Sequence, residues 1–106
     1  MDEAQLLKGV LEGCVLSIIK KGETYGYEIL SCLEKEGFSN LMEGTLYSVL
    51  IRLEKKGYVV CRKAKSPLGP TRKYYSISEE GEVWFKEFKK SYRHLTESAQ
   101  RIIFDE

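Results

Sequence analysis

Few residues in this chain have the chemistry that catalysis or metal binding requires. His94 is its one histidine, and Cys14, Cys32 and Cys61 are too widely spaced to form the close ligand pairs of a zinc site. A Ser-His-Asp triad would depend on His94, although a single histidine is far more often a solvated surface residue. The sequence also lacks a G-x-x-x-x-G-K-[ST] phosphate loop and a G-x-G-x-x-G motif. We therefore predict a protein that is not an enzyme and that holds no metal or cofactor.

The residues with the clearest binding chemistry are cations, and they are concentrated in one segment. Between Arg52 and Tyr75 there are eight basic residues and one acid, a charge of +7, whereas the whole chain carries only +1. The rest of the chain is therefore acidic, at −6. A basic surface on an anionic body is expected of a protein that binds nucleic acid. An ordinary solvated surface is the alternative, but the arginines and tyrosines of this segment favour nucleic acid.

Length and composition place the chain among single-domain globular proteins. Its 106 residues suffice for one domain, and 42% of them are hydrophobic, which is ordinary for a folded protein. The cysteines form no paired motif, as expected for reduced thiols in the cytosol. The most apolar run, residues 10–19, is too short to span a bilayer and contains Glu12. The acidic residues that follow Met1, Asp2 and Glu3, are unlike the basic start of a signal peptide. We expect a cytoplasmic protein with no membrane partner.

Apolar periodicity predicts three helices ahead of and within the basic segment. The first covers residues 4–20, where apolar side chains recur at intervals of three and four. The second has Thr24 as its N-cap and ends at Gly37. The third covers residues 43–56 and has four apolar side chains on one side, at Leu46, Val49, Leu50 and Leu53.

A short hairpin and a long helix follow. Strand-like runs at residues 58–61 and 73–77 flank a proline- and glycine-rich loop, and Ser78 can cap a final helix with an acidic first turn. The order helix-helix-helix-hairpin-helix predicts a fold that is mainly α with a small β-hairpin, a winged helix-turn-helix. Within this single domain we assign residues 1–78 to DNA binding and residues 79–106 to a dimerisation helix.

The final helix carries an apolar seam of the kind that joins two helices. Its members recur at alternating intervals of three and four residues: Phe85, Phe88, Tyr92, Leu95, Ala99 and Ile102. The seam covers about two and a half heptads, which is too short for an independent coiled coil. It either packs on its own domain or joins two subunits. Because three helices and a hairpin already close a small core, we predict a homodimer.

Three segments follow one another in a characteristic order: G-E-T-Y-G-Y-E-I from Gly22, E-G-T-L-Y with R-L-E-K-K-G from Glu43, and G-P-T-R-K-Y-Y-S-I-S from Gly69. Through these segments the sequence resembles the PadR family of bacterial transcriptional regulators over residues 6–92. Two positions depart from the family pattern, because Ser48 replaces a frequent proline and Met42 a frequent capping serine. The resemblance implies a DNA-binding regulator of the short C-terminus kind, acting as a repressor.

The outward side chains of the third helix and the cations of the hairpin are the predicted DNA contacts. On the helix, the residues nearest its start face bases or nearby phosphates and the others face the phosphate backbone: Thr45, Tyr47 and Ser48, then Arg52 and Lys55. On the hairpin, five cations are predicted to hold the backbone or enter the minor groove: Arg62, Lys63, Lys65, Arg72 and Lys73. Two alternatives stay open. The alternative for Tyr47 is an aromatic side chain of the core, and the alternative for the hairpin lysines is that they only keep the loop soluble.

A further predicted site lies between the first and last helices. Five apolar and aromatic residues there are candidates to line a cleft for a planar aromatic or hydrophobic effector: Leu11, Val15, Trp84, Phe88 and Tyr92. The resemblance implies the same region, because in multidrug-sensing PadR-like proteins an aromatic near Tyr92 stacks on the ligand, while other members respond to phenolic acids. The alternative is an interface core without a cavity.

Together these features predict a ligand-responsive repressor that binds double-stranded DNA as a homodimer on a palindromic operator. The alternative function is a winged helix that serves protein interaction without specific DNA binding.

Overall fold

A computed structural model describes residues 6–105 of the chain. Between Leu11 and Ile103 the chain forms four helices and three strands, in an order that confirms the predicted winged helix-turn-helix with its long C-terminal helix. The elements are α1 (Leu11–Lys20), β1 (Thr24–Tyr25), α2 (Gly26–Lys35), α3 (Glu43–Lys55), β2 (Val59–Lys65), β3 (Thr71–Ile77) and α4 (Glu79–Ile103).

The core lies where the apolar faces of α1, α2 and α3 meet. Their almost fully buried side chains are Val15, Leu16, Ile19, Ile29, Leu33, Leu46, Val49, Leu50 and Leu53. The sheet and α4 close this core with Val59, Tyr75 and Phe85. All four apolar residues predicted on the inner side of α3 are buried, so the opposite side of that helix is turned to solvent.

The first helix begins later than predicted. Leu6 and Leu7 are helical, but the chain turns at Gly9, whose φ of +90° suits glycine alone, and α1 starts at Leu11. Residues 4 and 5 of the predicted helix lie outside the described part of the chain. The apolar spacing continues through this turn, which is why periodicity alone joined the two segments.

Thr24 is a strand residue and not the N-cap of the second helix, so that prediction was wrong. It pairs with Tyr75 across the antiparallel β1–β3 ladder, and its buried hydroxyl donates a hydrogen bond of 2.5 Å to the Glu28 carboxylate. The N-cap position of α2 belongs to Tyr25, which provides no side-chain bond. Burial against the third strand therefore outweighs the local capping preference of threonine.

The hairpin of β2 and β3, here called the wing, is longer than predicted. Its strands are each seven residues long and pair in register from Val59 opposite Ile77 to Lys65 opposite Thr71, and the sheet order is β1-β3-β2. Ser78 caps α4 as predicted, because its Oγ accepts a hydrogen bond of 3.0 Å from the Gly81 amide. The same hydroxyl donates to the Gly57 carbonyl at 2.6 Å and so joins the end of α3 to the start of α4.

Helix α4 is 25 residues long, and only its first part packs on the core. Phe85 is 8% exposed, whereas Leu95 is 67% and Ile102 is 79% exposed. The seam therefore packs on its own domain at Phe85 and Phe88 and is uncovered beyond them. Within residues 6–105, no helix has the combination of length and apolar character needed to span a membrane.

Candidate nucleic-acid interface

The solvent side of α3 presents one line of residues directly opposite the core. With 100° of rotation per residue, this outward line consists of Gly44, Ser48, Ile51 and Lys55, and all four are exposed. Two of them, Ser48 and Lys55, are among the predicted contacts. Gly44 and Ile51 are not, although the helical spacing that identified Ser48 and Lys55 also includes them. Thr45 is exposed on one flank of the line.

Tyr47 lies on the other flank and is neither buried in the core nor fully exposed to solvent. It is 44% exposed, and its ring crosses the start of α2 so closely that a β-carbon on Gly26 would lie 2.9 Å from the Tyr47 Oη. The hydroxyl is thus held beside the α2 N-terminus, and one side of the ring stays open. This position favours a surface role over the core alternative.

Arg52, predicted to face phosphate, is held by helix α1. Its Nε donates a hydrogen bond of 2.8 Å to Glu12 Oε1, and Lys56 Nζ lies 3.6 Å from the other oxygen of the same carboxylate. The Glu12 side chain is only 18% exposed, so solvent screens this pair less than an ordinary surface pair. The contact joins residues 40 positions apart, which no local pattern could reveal.

The lysine side chains of the wing lie on the face of the hairpin that is turned toward α3. Because side chains alternate across a strand, Lys63, Lys65 and Lys73 share a face with the buried Val59 and Tyr75. Lys73 Nζ lies 3.6 Å from a Glu54 carboxylate oxygen of α3, which places this face beside that helix. Within residues 6–105, Lys63 and Lys65 have no ion-pair partner at bonding distance.

The two wing arginines occupy the opposite face, where other side chains hold them. Arg62 donates two hydrogen bonds to the Glu23 carboxylate, at 2.6 and 2.7 Å, and its guanidinium lies 4.8 Å from the centre of the Tyr74 ring. Arg72 lies 4.0 Å from the centre of the Tyr25 ring, which meets Tyr74 edge to face. The bonds from Arg62 lower the pKa of Glu23, and they raise the pKa of Arg62 in turn. The five cations predicted as one group are therefore two groups.

The predicted effector region is an open groove of about 950 Å³ between α1, the end of α2 and α4. Of the five candidate residues, Phe88 and Tyr92 line it. Leu11 and Val15 do not, because they are 5% and 0% exposed within the core. Trp84 also lies off the groove, where its ring stacks at 5.2 Å on Phe88.

The groove region has two further features. The Trp84 ring also stacks at 5.4 Å on Tyr58, and Phe88 stacks at 5.8 Å on Tyr92, so four aromatic rings form one column. Cys14 lies on the α1 side of the groove, and burial raises the pKa of its thiol. No group of side chains within residues 6–105 could hold a metal ion.

The arrangement of a helix with an open outer face beside a lysine-bearing wing agrees with known proteins. A family model described as the transcriptional regulator PadR-like family matches residues 15–87. The chain belongs to this family. It is therefore a DNA-binding transcriptional regulator with the winged-helix fold, and its PadR relatives are regulators rather than enzymes.

Solved structures and a curated relative agree with this PadR membership. The chain is 41% identical to a PadR-like transcriptional regulator from Bacillus cereus, covering 93% of this chain and 96% of that one with a TM-score of 0.83. A Streptococcus transcriptional regulator is 43% identical, with 92% and 96% covered and a TM-score of 0.82. An uncharacterized protein from Lysinibacillus sphaericus is 32% identical over 100 residues, covering 92% of this chain and 91% of that protein.

Proposed function

We propose that this PadR-family protein is a ligand-responsive repressor that binds a palindromic operator as a homodimer. The observation that carries the proposal is the position of the wing lysines. Lys63 and Lys65 project on the face of the wing that is turned toward α3, and the residues outside the basic segment carry a net negative charge. A helix in the major groove and cations on an adjoining hairpin are the two parts of a winged-helix DNA contact.

The proposed roles of the site residues follow from where their side chains lie. Thr45, Tyr47 and Ser48, in the first turns of α3, contact bases or the phosphates beside them. Cations with open ammonium groups contact the phosphate backbone: Lys55, Lys63 and Lys65. The remaining four cations each have an intramolecular partner, and we propose that they contact DNA while that partner fixes their position: Arg52, Arg62, Arg72 and Lys73.

DNA binding is tested by mobility shift on a promoter fragment at two salt concentrations. We expect affinity to fall steeply from 50 to 200 mM salt, since phosphate contacts release counterions. The double variant Lys63→Gln/Lys65→Gln should bind weakly, whereas Lys86→Gln, on the exposed surface of α4, should bind as the wild type does. Salt-insensitive or absent binding would favour the alternative function, a winged helix for protein interaction.

We propose that residues 79–106 form the dimerisation element through the uncovered part of the seam. An isologous pairing of two α4 helices would cover Tyr92, Leu95, Ala99 and Ile102 and give the protein two-fold symmetry. Two reading helices then require half-sites about 10–10.5 base pairs apart or a multiple of that.

Sedimentation of matched variants tests this assembly. Leu95 and Val83 are both on α4 and both 67% exposed, but only Leu95 belongs to the seam. We expect Leu95→Glu to give monomers that bind DNA poorly and Val83→Glu to remain dimeric. A wild-type protein that sediments as a monomer at micromolar concentration would contradict the dimer.

The effector is proposed to extend the aromatic column at Tyr92, which lines the groove together with Phe88, ends the column and is 43% exposed. A flat aromatic wall suits planar aromatic cations or phenolic acids. Titration of either class should change the fluorescence of Trp84, the single tryptophan, saturably and should release DNA. If no compound changes the emission and Tyr92→Ala leaves induction in cells intact, the groove is interface only.

A further inference from the structure

One side chain on the outward line of α3 is apolar. Ile51 is 52% exposed and lies one turn beyond Ser48 and one turn before Lys55 on the side of the helix that faces away from the core. Single exposed apolar side chains are common on proteins and by themselves indicate nothing. Ile51 differs from the others because it occupies the middle of the surface that the proposed function turns toward the major groove.

The chemistry of that groove offers one apolar partner. Guanine, cytosine and adenine present hydrogen-bond donors and acceptors there, and thymine adds the C5-methyl group to its acceptor. A branched aliphatic side chain has no donor or acceptor to offer, so the partner that removes most apolar surface from water is the thymine methyl. In the proposed function Lys55, which is exposed one turn further along, contacts a phosphate and so holds the helix at this depth.

Resting on the proposed function, we propose that Ile51 contacts a thymine methyl in each half-site and makes the protein selective for thymine at that position. Helix geometry gives the location. Ser48 and Ile51 are three residues apart, which is about 4.5 Å along the axis. That distance is close to the roughly 3.4 Å between successive base pairs. The thymine read by Ile51 therefore lies at the base step next to the one that Ser48 faces.

The test removes the methyl group alone. A binding site is first enriched from random duplex DNA with the wild-type protein, and each thymine of a half-site is then replaced by deoxyuridine. One such replacement should weaken wild-type binding about fourfold, the value of one buried methyl group. Ile51→Ala should bind the thymine and deoxyuridine duplexes equally, and Ile51→Val, which keeps a branched β-carbon, should retain part of the difference.

Two controls separate loss of contact from loss of fold. Ile51→Ala replaces an exposed β-branched residue by the best helix former, so its thermal midpoint should equal or exceed that of the wild type. Val83→Ala removes a similarly exposed aliphatic side chain from α4 and should keep the full methyl effect. Should Ile51→Ala be unstable, Ile51→Val and the wild-type deoxyuridine scan decide the question together.

The outcomes distinguish this inference from the function on which it rests. If no sequence is enriched, sequence-specific binding fails and the proposed function fails with it. If a sequence is enriched but contains no thymine beside the Ser48 position, the assignment of Ile51 is overturned. It is also overturned if deoxyuridine weakens the wild type and Ile51→Ala by the same factor.

Discussion

The ring of Phe88, in α4, lies against the backbone of Gly13, in α1, where a β-carbon would overlap its edge. Glycine at this position lets the Phe88 ring pack directly on the backbone of α1. The preceding residue, Glu12, holds Arg52 of α3 and Lys56 at the C-cap of that helix. Helix α1 is thus in direct contact with the groove on one side and with the proposed reading helix on the other.

The close approach at Gly13 predicts opposite effects for two glycine-to-alanine substitutions. Gly13→Ala should lower the free energy of unfolding by about 1–3 kcal/mol, because the Phe88 ring must move out of a packed site. Gly44→Ala should raise it by up to about 1 kcal/mol, since the space around Gly44 is open and alanine favours the helix. Chemical denaturation of the two variants checks both signs, and equal effects would show that Phe88 can move freely.

The two faces of the wing predict different salt dependences. Lys65→Gln should reduce the slope of log affinity against log salt by about 0.9 per lost phosphate contact, or about 1.8 per proposed dimer. Arg62→Gln should change the slope less, because its guanidinium is already committed to Glu23. The measurement is a binding titration at four salt concentrations, and an unchanged slope for both Lys65→Gln and Lys73→Gln would mean that the wing lies free in solvent.

The bond from Arg62 to Glu23 predicts a loss of stability in acid. Because the folded state lowers the pKa of Glu23, the pair contributes stability above the ordinary carboxyl pKa of about 4.3 and loses it as pH falls through the lowered value. Glu23→Gln should therefore be less stable than the wild type at neutral pH and low salt, with a difference that disappears in acid. Thermal midpoints of both proteins between neutral pH and pH 3 test this, and a difference that persists at low pH would contradict it.

Tyr75 predicts an alkaline transition. Burial raises the pKa of its hydroxyl to about 12. In the unfolded chain this group ionises near pH 10. Its contribution to the free energy of unfolding is therefore fully present below pH 10 and is lost as pH rises toward 12. The expected loss is about 2–3 kcal/mol, and Tyr75→Phe should remove that part of the pH dependence. Urea titrations at pH 8 and pH 11 compare the two, and identical pH dependences would rule out Tyr75 as the titrating group.

Local patterns were sufficient for most of the fold. The inner face of α3 and the Ser78 cap depend on residues within a few positions of each other, and both were predicted correctly. The start of α1 was not predicted correctly, because the spacing of apolar residues is the same on both sides of the turn at Gly9 and so does not reveal the turn. Strand β1 is two residues long and exists only through pairing with β3, so no local signal could separate it from a helix cap.

For the candidate site, residue type and local spacing indicate which side chains are exposed but not which partners hold them. The alternation of side chains along β2 is a local signal that separates Arg62 from Lys63 and Lys65. The hydrogen bonds from Arg52 to Glu12 and from Arg62 to Glu23 join residues about 40 positions apart, and they depend on how helices and strands pack. The same holds for Leu11 and Val15, whose apolar character fits a cleft or a core equally well.

The uncovered end of α4 bears on how long a newly made chain survives. Beyond Phe88 no side chain of this helix is buried by its own chain, and an isolated helix of about a dozen residues is marginal in water. We expect residues 92–103 to fray in a single copy and to expose their backbone to proteases, whereas pairing in the proposed dimer would protect them. If the dimer forms, chains made in small numbers would be degraded before they pair, and chains made in larger numbers would persist. We therefore expect the lifetime of the protein in the cell to rise with its own concentration.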